Sequence, residues 1–538
     1  MPKPFFITTA IDYTNGAPHI GHAYEKVLAD VIARYHRLKG EEVFFLTGVD
    51  QHGQKVQQSA EKQGVPPQEF VNEITAKFRA LWEKLEIKYD RWAATTDPLH
   101  KACVQGILAR LWDEKQIYKD KQGGYYSVRQ EQFVTDKERG PDGKFGPEWG
   151  EVEFREEENY YFKLAEHKAW LLALIDKRED LVTPFFRRAE LRNAVEKLIG
   201  DLCVSRPKER LSWGIEFSFD PEYVTYVWFD ALVNYISFAG YVPAPEANNN
   251  RFFERWPALH VIGKDIMIPA HGVYWPIMLK ALGFTDDQIP PLLVHGWWNI
   301  KSTGGESEKM SKSLGNVVDP DALADKYGAE ALRYYLMSDI ATGRDADFDE
   351  GRLREERYNG DLANKLGNLL NRALNMVGRY RQGTLKRFEE SAVFLPPEPG
   401  AKIAFYRKPS EFVGEYAAAF DQHQIHSALA KAMDFAVQCN GYVEVTAPWK
   451  LAKDDDASET LDKILYTVTE SLRIIAILIS PVLPRAAHGI FDQLLWKMED
   501  AGKEMRFKLT DAQWGALPDG HVVGKPLPLF PRIVETVE

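Results

Sequence analysis

Hydrophobic and polar positions near the start of the chain follow two alternating patterns. The apolar run FFITTAID has the length of a buried strand and leads into a turn that contains Asn15, Gly16 and Pro18. Residues 21–39 then carry apolar side chains at helical spacing, and a second apolar run, EEVFFLTGVD, precedes another helical stretch. Strands that alternate with helices over short connections predict a parallel sheet with helices packed on it. We therefore expect a doubly wound, Rossmann-type α/β domain.

The hydrophobic pattern changes twice farther along the chain. From about residue 115 to 160, short alternating runs rich in Gly, Tyr and charged residues predict a small β-rich insertion. The α/β pattern returns with YVWFDALVNY and ALHVIGKDIM, and from about residue 346 long amphipathic helices predict an all-α bundle. The predicted domains are the first half of the Rossmann domain at 1–114, the insertion at 115–220, the second half of the Rossmann domain at 221–345 and the helical bundle at 346–538.

Composition and charge exclude several classes of protein. The 538 residues are too many for a single core, and no apolar run of about 18 residues occurs, so a membrane span is not expected. The net charge of −12 excludes nucleic-acid binding by overall charge, and any RNA contact requires a local basic surface. The three cysteines, Cys103, Cys203 and Cys439, form no CxxC pair, which favours a reducing compartment. A strand pattern that begins at residue 5 leaves no room for a leader peptide, and we expect a cytoplasmic location.

The tetrapeptide HIGH places His19 and His22 at the turn between the first predicted strand and the first predicted helix. Ligands of doubly wound sheets bind at such turns, and the amino end of a helix attracts phosphate. The two imidazoles would add hydrogen-bond donors, and Gly21 would let a nucleotide approach the backbone closely. Two alternatives stay open for the histidines alone. In the first alternative the histidines are ordinary core or surface residues. In the second they bind a metal ion, but the sequence offers no third ligand for it.

A second short motif, KMSKS at 309–313, lies among Gly304, Gly305 and Gly315 and is predicted to form a mobile loop. Two lysines on such a loop can close over a polyphosphate and neutralise the charge that grows as phosphorus is attacked. Taken alone, the motif also fits a solvated basic turn. Because HIGH and KMSKS occur in this order and in these contexts, together they favour a nucleotide site.

With these two motifs the sequence resembles the class I aminoacyl-tRNA synthetases, and from about residue 5 to about 533 it is similar to methionyl-tRNA synthetases in particular. The resemblance implies a methionine–tRNA ligase that converts L-methionine and ATP to methionyl-adenylate and transfers methionine to the 3′ end of initiator and elongator methionine tRNA. It implies that the histidines of HIGH and the lysines of KMSKS are catalytic. The histidines would hold the ATP triphosphate, and the lysines would stabilise the pyrophosphate as it leaves. The GKD turn is similar to the family's ribose-binding turn. The implied ATP-binding residues are His19, Gly21, His22, Gly263, Asp265, Lys309, Ser311 and Lys312.

The amino-acid pocket determines the substrate. Methionine is flexible and apolar and has a polarisable thioether, so a selective site needs aromatic walls, a weak donor to sulfur and a carboxylate for the α-ammonium. The resemblance places Asp50 against the ammonium and Tyr13 and His271 near the sulfur. Taken singly, each aromatic residue also fits the core. The implied methionine-binding set is Ala10, Ile11, Tyr13, Asp50, Trp228, Ala231, Leu232, Tyr235, Ile266, His271 and Trp275, with Trp228, Tyr235 and Trp275 as the aromatic wall.

Three features depart from the family pattern. One extra residue lies between Asp265 and His271, so the pocket positions of Ile266 and His271 depend on how the chain accommodates it. Leu232 stands where a proline is common, and both residues are apolar. The insertion segment YYSVRQEQFVTDKE has no cysteine, whereas many relatives have zinc knuckles there, so we predict an insertion without zinc. The insertion is also too short for the large editing domain of the leucine, isoleucine and valine enzymes.

The helical half is expected to bind the tRNA. In single-stranded RNA recognition, bases stack on aromatic or guanidinium faces. The segment APWK offers Trp449, and NKLGNLLNR offers Asn368 and Arg372 on one helix face. The resemblance implies that these three residues contact the anticodon CAU, with Trp449 stacked on the first base. Without the resemblance, Trp449 fits the core equally well, and Asn368 fits a capping or packing role.

The implied cofactors are ATP and the Mg²⁺ that accompanies its triphosphate, with no metal held by protein side chains. Since no oligonucleotide-binding module is seen after the bundle, we expect a monomer. Two other functions stay open. One is a small-molecule nucleotidyltransferase with the same phosphate turn, against which the helical half and KMSKS count. The other is a catalytically silent RNA-binding paralogue, against which the intact HIGH and KMSKS motifs count.

Overall fold

The fold combines a parallel α/β sheet with smaller sheets and a series of helices. The computed structural model describes residues 3–127, 132–134, 136, 139–140, 142–198, 200–244, 247, 249–301, 307–310, 317–393, 407–496 and 507–534. The strands are β1 (Phe5–Thr9), β2 (Asp12–Tyr13), β3 (Val43–Asp50), β4 (Arg91–Ala94), β5 (Ile117–Ser127), β6 (Gln132–Val134), β7 (Val152–Phe162), β8 (Val182–Thr183), β9 (Leu202–Cys203), β10 (Ser205–Pro207), β11 (Glu216–Phe217), β12 (Asp220–Thr225), β13 (Leu259–Gly263), β14 (Leu292–His295), β15 (Trp298–Lys301), β16 (Ser307–Lys309) and β17 (Ala346–Phe348). The α-helices are α1 (Ile20–Leu38), α2 (Gln54–Gln63), α3 (Pro67–Lys84), α4 (Pro98–Asp113), α5 (Lys168–Lys177), α6 (Phe186–Glu196), α7 (Val227–Ser237), α8 (Asn250–Arg255), α9 (Lys264–Ile266), α10 (Trp275–Ala281), α11 (Pro320–Tyr327), α12 (Ala329–Ser338), α13 (Glu350–Arg352), α14 (Asn368–Arg381), α15 (Glu390–Val393), α16 (Pro409–Asp421), α17 (Ile425–Thr446), α18 (Pro448–Leu451), α19 (Ser458–Ile479) and α20 (Pro484–Leu494).

The main sheet joins amino-terminal strands to strands from the middle of the chain. Its order is β2–β3–β1–β13–β14–β8, and β4 also pairs with β3. These strands pair in parallel, with Ile7 opposite Leu259 across β1 and β13 and Gly263 opposite His295 across β13 and β14. β1 is almost wholly buried, as expected for a parallel strand with helices on both faces. The predicted doubly wound α/β class is confirmed, and the carboxyl ends of β1, β3 and β13 meet at one edge.

The insertion between the two halves of this sheet is built mainly from antiparallel strands. β5 pairs with β7 along its whole length, and β6 and β9 extend that sheet to the order β6–β5–β7–β9. A second small sheet has the order β10–β12–β11. Aromatic residues fill the space between these sheets, and the Tyr160 ring lies 5.1 to 5.2 Å from the rings of Phe217 and Tyr223. The predicted β-rich insertion is therefore present, and its core is aromatic.

The carboxyl-terminal half is helical, as predicted. A wide helical segment with i→i+5 hydrogen bonds, Leu353–Gly367, leads directly into α14. The long helix α19 is buried from Ile464 to its end at Ile479, and α17 and α20 pack against it. None of the described helices is long and apolar enough to cross a membrane.

The helical half is joined to the α/β domain by a buried arginine on α12. The Arg333 guanidinium lies 2.7 Å from the Asp30 carboxylate on α1, and both side chains are fully buried. The same guanidinium donates to the backbone carbonyls of Leu85, Pro481 and Val482 at 2.9 to 3.0 Å. A buried charge is tolerated only when it is paired and hydrogen-bonded, so this contact fixes how the bundle sits on the sheet domain.

Candidate active site

The HIGH motif forms the first turn of α1. His19 precedes the helix, and its Nδ1 accepts a hydrogen bond from the backbone N–H of Gly21 at 3.1 Å. The His22 Nδ1 accepts from the backbone N–H of His19 at 3.1 Å, and the two imidazole rings stack with centroids 3.7 Å apart. Because both Nδ1 atoms accept, each neutral ring carries its proton on Nε2. A Cβ at position 21 would lie 3.0 Å from His19 Cε1, so glycine lets the imidazole cover the backbone here.

A cavity of about 370 Å³ opens at the carboxyl edge of the sheet, between the ends of β1 and β3 and helix α7. Its volume lies in the range of small-molecule sites. Ten of the eleven residues expected to bind methionine line it: Ala10, Ile11, Tyr13, Asp50, Trp228, Ala231, Leu232, Tyr235, Ile266 and His271. The residues Lys55, Val227, Asn234, Asp265 and Ala270 complete the lining.

Trp275, the eleventh residue, does not line this cavity. It is fully buried at the start of α10, with its ring 5.8 Å from that of Tyr235. Its Nε1 donates to the Nε2 of His260 at 3.1 Å. The structure therefore places Trp275 behind the cavity wall, where it supports Tyr235.

Tyr235 and His271 form a hydrogen-bonded pair in the wall of the cavity. The His271 Nδ1 lies 2.9 Å from the carbonyl oxygen of Ile266, to which it donates. The His271 Nε2 therefore accepts, and the Tyr235 hydroxyl donates to it at 2.7 Å. Burial lowers the pKa of His271 to about 4 and raises the pKa of Tyr235 well above its ordinary value. Both groups are uncharged near neutral pH, which suits an apolar ligand.

The extra residue before His271 lies in a wide helical turn. The segment Met267–Tyr274 has i→i+5 hydrogen bonds, but it is kinked near its start, where Ile268 is extended at φ −114° and ψ 126°. Wide turns of this kind are rare and occur frequently at functional sites. Ile266 and His271 both line the cavity despite the extra residue.

Three charged residues line the cavity: Asp50, Lys55 and Asp265. Asp50 ends β3 and is buried, with its Oδ1 3.4 Å from the backbone N–H of His52 and 3.5 Å from the Thr95 hydroxyl. Lys55 in the first turn of α2 is the basic residue among the described residues of the lining. Sequence reasoning missed Lys55, although its position five residues after Asp50 at a strand-to-helix turn was a usable signal.

A buried ion network lies beside the HIGH turn, and the sequence did not predict it. The Lys26 ammonium on α1 contacts the Asp12 carboxylate at 2.6 Å and the Glu25 carboxylate at 2.8 Å, and it donates to the carbonyl of Ala10 at 2.9 Å. The second Glu25 oxygen lies 3.1 Å from the His295 Nε2. Burial raises the pKa of Asp12 to about 7. Since Ala10 lines the cavity, the network ties the cavity wall to the helix that carries HIGH.

The GKD turn follows β13 on the neighbouring side of the cavity. A Cβ at Gly263 would lie 2.7 Å from the Asp265 Oδ1, so glycine is needed for this carboxylate to fold back over the strand end. The exposed Asp265 also reaches the cavity lining. Lys264 points the other way and pairs with Asp345 at 2.5 Å.

The KMSKS segment is described only in part. β15 pairs with β16, which places the backbone of Lys309 opposite Asn299. Met310 is half-buried against the main core. Ser311 and Lys312 lie outside the described residues, and so does the side chain of Lys309.

Comparison with known proteins identifies the family. A model of class I tRNA synthetases (M) matches residues 5–144 and 149–374, and a model of the anticodon binding domain of methionyl tRNA ligase matches residues 401–537. The chain belongs to the methionyl group of class I tRNA synthetases. The resemblance seen in the HIGH and KMSKS motifs is thereby confirmed. The second match also counts against a small-molecule nucleotidyltransferase.

Relatives of this synthetase family match along nearly the whole chain. The methionine–tRNA ligase of Deinococcus radiodurans is 40% identical over 98% of this chain and 74% of its own length. That of Thermosynechococcus vestitus is 38% identical over 99% of this chain and 98% of its own length. Among solved structures, a Mycobacterium tuberculosis methionyl-tRNA synthetase in complex with methionyl-adenylate superposes with a TM-score of 0.86 at 35% identity, over 98% of this chain and 100% of that one.

In this synthetase the expected anticodon residues lie on α14 and α18. The Arg372 guanidinium is 5.9 Å from the centre of the Trp449 ring, and its Nη1 lies 2.7 Å from a Glu444 carboxylate oxygen. Trp449 is 38% exposed, so it is a surface residue and not part of the core. Asn368 is exposed at the start of α14, one helical turn before Arg372. The structure brings Arg372 and Trp449 together and leaves Asn368 beside them on the same helix face.

No group of three or more His, Cys, Asp or Glu side chains that could hold a metal ion occurs within the described residues. Of the cysteines, Cys103 and Cys439 are buried and Cys203 is half-buried. An insertion without zinc stays a prediction from its sequence.

Proposed function

We propose that the 370 Å³ cavity binds L-methionine and that the HIGH and GKD turns beside it bind ATP. The protein is a methionine–tRNA ligase, which activates methionine with ATP and charges tRNA. The observation that carries the site proposal is that ten expected residues from four separate segments meet in one cavity at the carboxyl edge of the sheet. Independent positions along the chain would not converge there if each were an ordinary core residue.

Methionine fits the cavity by shape and by charge. The aromatic and aliphatic lining covers its side chain, and the neutral Tyr235–His271 pair presents polar atoms to the thioether without a charge. Asp50, which lines the cavity, receives the α-ammonium. Lys55 also lines the cavity, and we assign it to the α-carboxylate, because a zwitterionic substrate needs one group of each sign.

Activation requires positioning and charge stabilisation. The methionine carboxylate attacks the α-phosphorus of ATP in line, pyrophosphate leaves, and no protein nucleophile takes part. The Nε2–H groups of His19 and His22 donate to the triphosphate, and Lys309 and Lys312 meet the charge that develops on the leaving pyrophosphate. Asp265 accepts hydrogen bonds from the ribose. Mg²⁺ would accompany ATP and neutralise its phosphates, held by phosphate oxygens.

Transfer to tRNA uses the helical half. A terminal ribose hydroxyl of the tRNA attacks the carbonyl carbon of the adenylate, and AMP leaves. The exposed Trp449 supplies a face for stacking on a base of the anticodon CAU, and Arg372 and Asn368 supply donors beside it. We propose that both initiator and elongator methionine tRNA are substrates. A monomeric state and a cytoplasmic location stay predictions from the sequence.

Methionine-dependent exchange of labelled pyrophosphate into ATP, without tRNA, tests the site. Leucine, isoleucine, valine and cysteine serve as competing substrates. We expect exchange with methionine and none at comparable rates with the other four, because, of the five amino acids, only methionine has a thioether to meet the Tyr235–His271 pair. Exchange driven by another amino acid would contradict the pocket assignment. Absence of all exchange from folded protein would favour a silent RNA-binding protein.

A further inference from the structure

Two adjacent phenylalanines at the start of α6 are exposed. The side chain of Phe185 is 70% exposed and that of Phe186 is 38% exposed. Large aromatic side chains are normally buried, and neighbouring exposed rings mark interaction surfaces. Neither residue contributes to the methionine cavity or to the ATP turns.

Arginine side chains cover both rings. The Arg188 guanidinium lies 5.6 Å from the centre of the Phe185 ring. Those of Arg187 and Arg344 lie 5.0 and 4.6 Å from the centre of the Phe186 ring. These five residues, Phe185, Phe186, Arg187, Arg188 and Arg344, are called the Phe–Arg surface below.

The Phe–Arg surface carries a net positive charge. Arg187 is paired with the Glu190 carboxylate at 2.8 Å. Arg188 donates to the backbone carbonyls of Ile175 and Asp176, which have no net charge. Among the described residues, no carboxylate lies within 4 Å of Arg188 or of the exposed Arg344. On a chain with a net charge of −12, this is a local basic surface of the kind that an RNA contact requires.

Sheet topology places this surface at the rim of the active site. Val182 of β8 pairs with Leu292 of β14, and β14 pairs with β13, which ends at the GKD turn. Phe185 comes two residues after β8 ends at Thr183, so it lies on the carboxyl side of the sheet, two strands from that turn. With strands about 4.8 Å apart, the lateral separation is about 10 Å.

Side-chain contacts link the surface to the ribose turn by a second route. Arg344, over the Phe186 ring, is followed by Asp345, whose carboxylate accepts from the Lys264 ammonium at 2.5 Å. Lys264 immediately precedes Asp265, the residue assigned to the ribose. The Asp345 carboxylate also accepts from the backbone N–H of Trp297 at 2.8 Å. The Phe–Arg surface is therefore linked through Asp345 and Lys264 to the turn that carries Asp265.

We propose that the Phe–Arg surface binds the single-stranded 3′ end of the tRNA as it enters the active site. Unpaired bases stack on aromatic rings and on guanidinium planes, and arginines neutralise the phosphates between them. A protein partner would need more apolar area than two rings supply, whereas alternating rings and cations match alternating bases and phosphates. The proposal rests on the proposed function, because that function requires the 3′ end of the tRNA to reach the active site at this edge of the sheet.

The test compares two RNAs and two proteins. The RNAs are intact methionine tRNA and the same tRNA trimmed of its unpaired 3′ nucleotides, and the proteins are the wild type and Phe185→Ala. Since loss of a stacking partner weakens binding by about tenfold, we expect Phe185→Ala to bind intact tRNA about tenfold more weakly and trimmed tRNA as the wild type does. Charging should fall in kcat/KM by a similar factor, while pyrophosphate exchange without tRNA stays unchanged.

Three further variants serve as controls. Phe185→Tyr keeps the ring and should retain wild-type affinity for intact tRNA. Arg344→Ala should lower the affinity of the protein for intact tRNA and make that affinity less dependent on salt concentration. Phe253→Ala removes another exposed phenylalanine, 36% exposed on α8 near the opposite edge of the sheet, and should change neither RNA affinity.

Two results would overturn the proposal. Equal affinities of wild type and Phe185→Ala for intact tRNA would show that the RNA does not touch this ring. If Phe185→Ala lowered the affinities for intact and trimmed tRNA equally, the contact would lie elsewhere on the tRNA and not at its 3′ end. Failure of methionine-dependent exchange in the wild type would instead count against the proposed function, so the two failures are distinguishable.

Discussion

The Tyr235 hydroxyl donates a hydrogen bond to the His271 Nε2 at 2.7 Å, within the wall of the cavity that we propose binds methionine. Because the His271 Nδ1 donates to the Ile266 carbonyl, the imidazole is held at both nitrogens and its tautomer is fixed. The pair thus presents a rigid, uncharged wall to the ligand. It joins α7 to the wide helical turn that holds the extra residue.

Tyr235→Phe removes this hydrogen bond and leaves a buried imidazole nitrogen without its donor. We expect the unpaired nitrogen to cost about 1–3 kcal/mol in the complex, where bound methionine keeps water from it, so the Kd for methionine should rise by about five- to 160-fold. Equilibrium binding of methionine without ATP measures the effect. Tyr466→Phe is the matched control, since its hydroxyl donates to the Leu517 carbonyl at 2.9 Å inside the helical bundle. A similar loss of methionine affinity in both variants would show that the effect comes from lower protein stability and not from the cavity wall.

Methionine binding should be insensitive to the titration of His271 at ordinary pH. A histidine with its usual pKa of about 6.5 would gain charge as pH falls from 7 to 6. Burial lowers the pKa of His271 to about 4, so the neutral ring persists above pH 5.5 and charges only as pH falls further. We expect the pH dependence of the Kd for methionine between pH 8 and about 5.5 to be the same in the wild type and in His271→Gln. A weakening centred near pH 6.5 that disappears in His271→Gln would contradict this assignment.

The sequence identified the cavity better than it identified the layers behind it. Strand ends and the family resemblance located ten lining residues, because residues that follow parallel strands meet at one edge whatever the packing around them. Trp275 follows the wide turn Met267–Tyr274, where helical spacing no longer gives the direction of a side chain, and it lies one layer deeper. The same reasoning cannot find a contact such as Arg333 with Asp30, which joins positions about three hundred residues apart.

Trp449→Ala should impair tRNA charging and leave adenylate formation intact. The ring is exposed and lies near Arg372, so truncation removes a stacking face without opening a core cavity. Stacking contributes about 1–3 kcal/mol per base, and we expect kcat/KM for tRNA charging to fall by about tenfold or more. Pyrophosphate exchange without tRNA provides the internal comparison. Val437→Ala, at a position 46% exposed on α17, is the surface control. Parallel losses of charging and exchange would place Trp449 in a structural role.

Lys55→Met tests whether the cavity recognises both charges of the amino acid. Methionine and methioninol share the side chain and the ammonium, but methioninol has no carboxylate. If Lys55 pairs with the carboxylate, its removal should weaken methionine binding by about two- to fivefold, the scale of a partly exposed ion pair. The affinity of the variant for methioninol should equal or exceed that of the wild type, because a positive charge near the methioninol ammonium has been removed.

The direction of the change in methioninol affinity distinguishes the loss of a carboxylate contact from a disturbed fold. A loss of fold or of cavity shape would weaken both ligands together, whereas loss of a carboxylate partner weakens methionine alone. Lys62→Met, in the last turn of the same helix, should change neither affinity. Because Lys55 would bind the carboxylate in the ground state, its loss should raise the KM for methionine more than it lowers kcat in pyrophosphate exchange. A variant with normal KM and reduced kcat would instead assign Lys55 to the transition state of phosphoryl transfer.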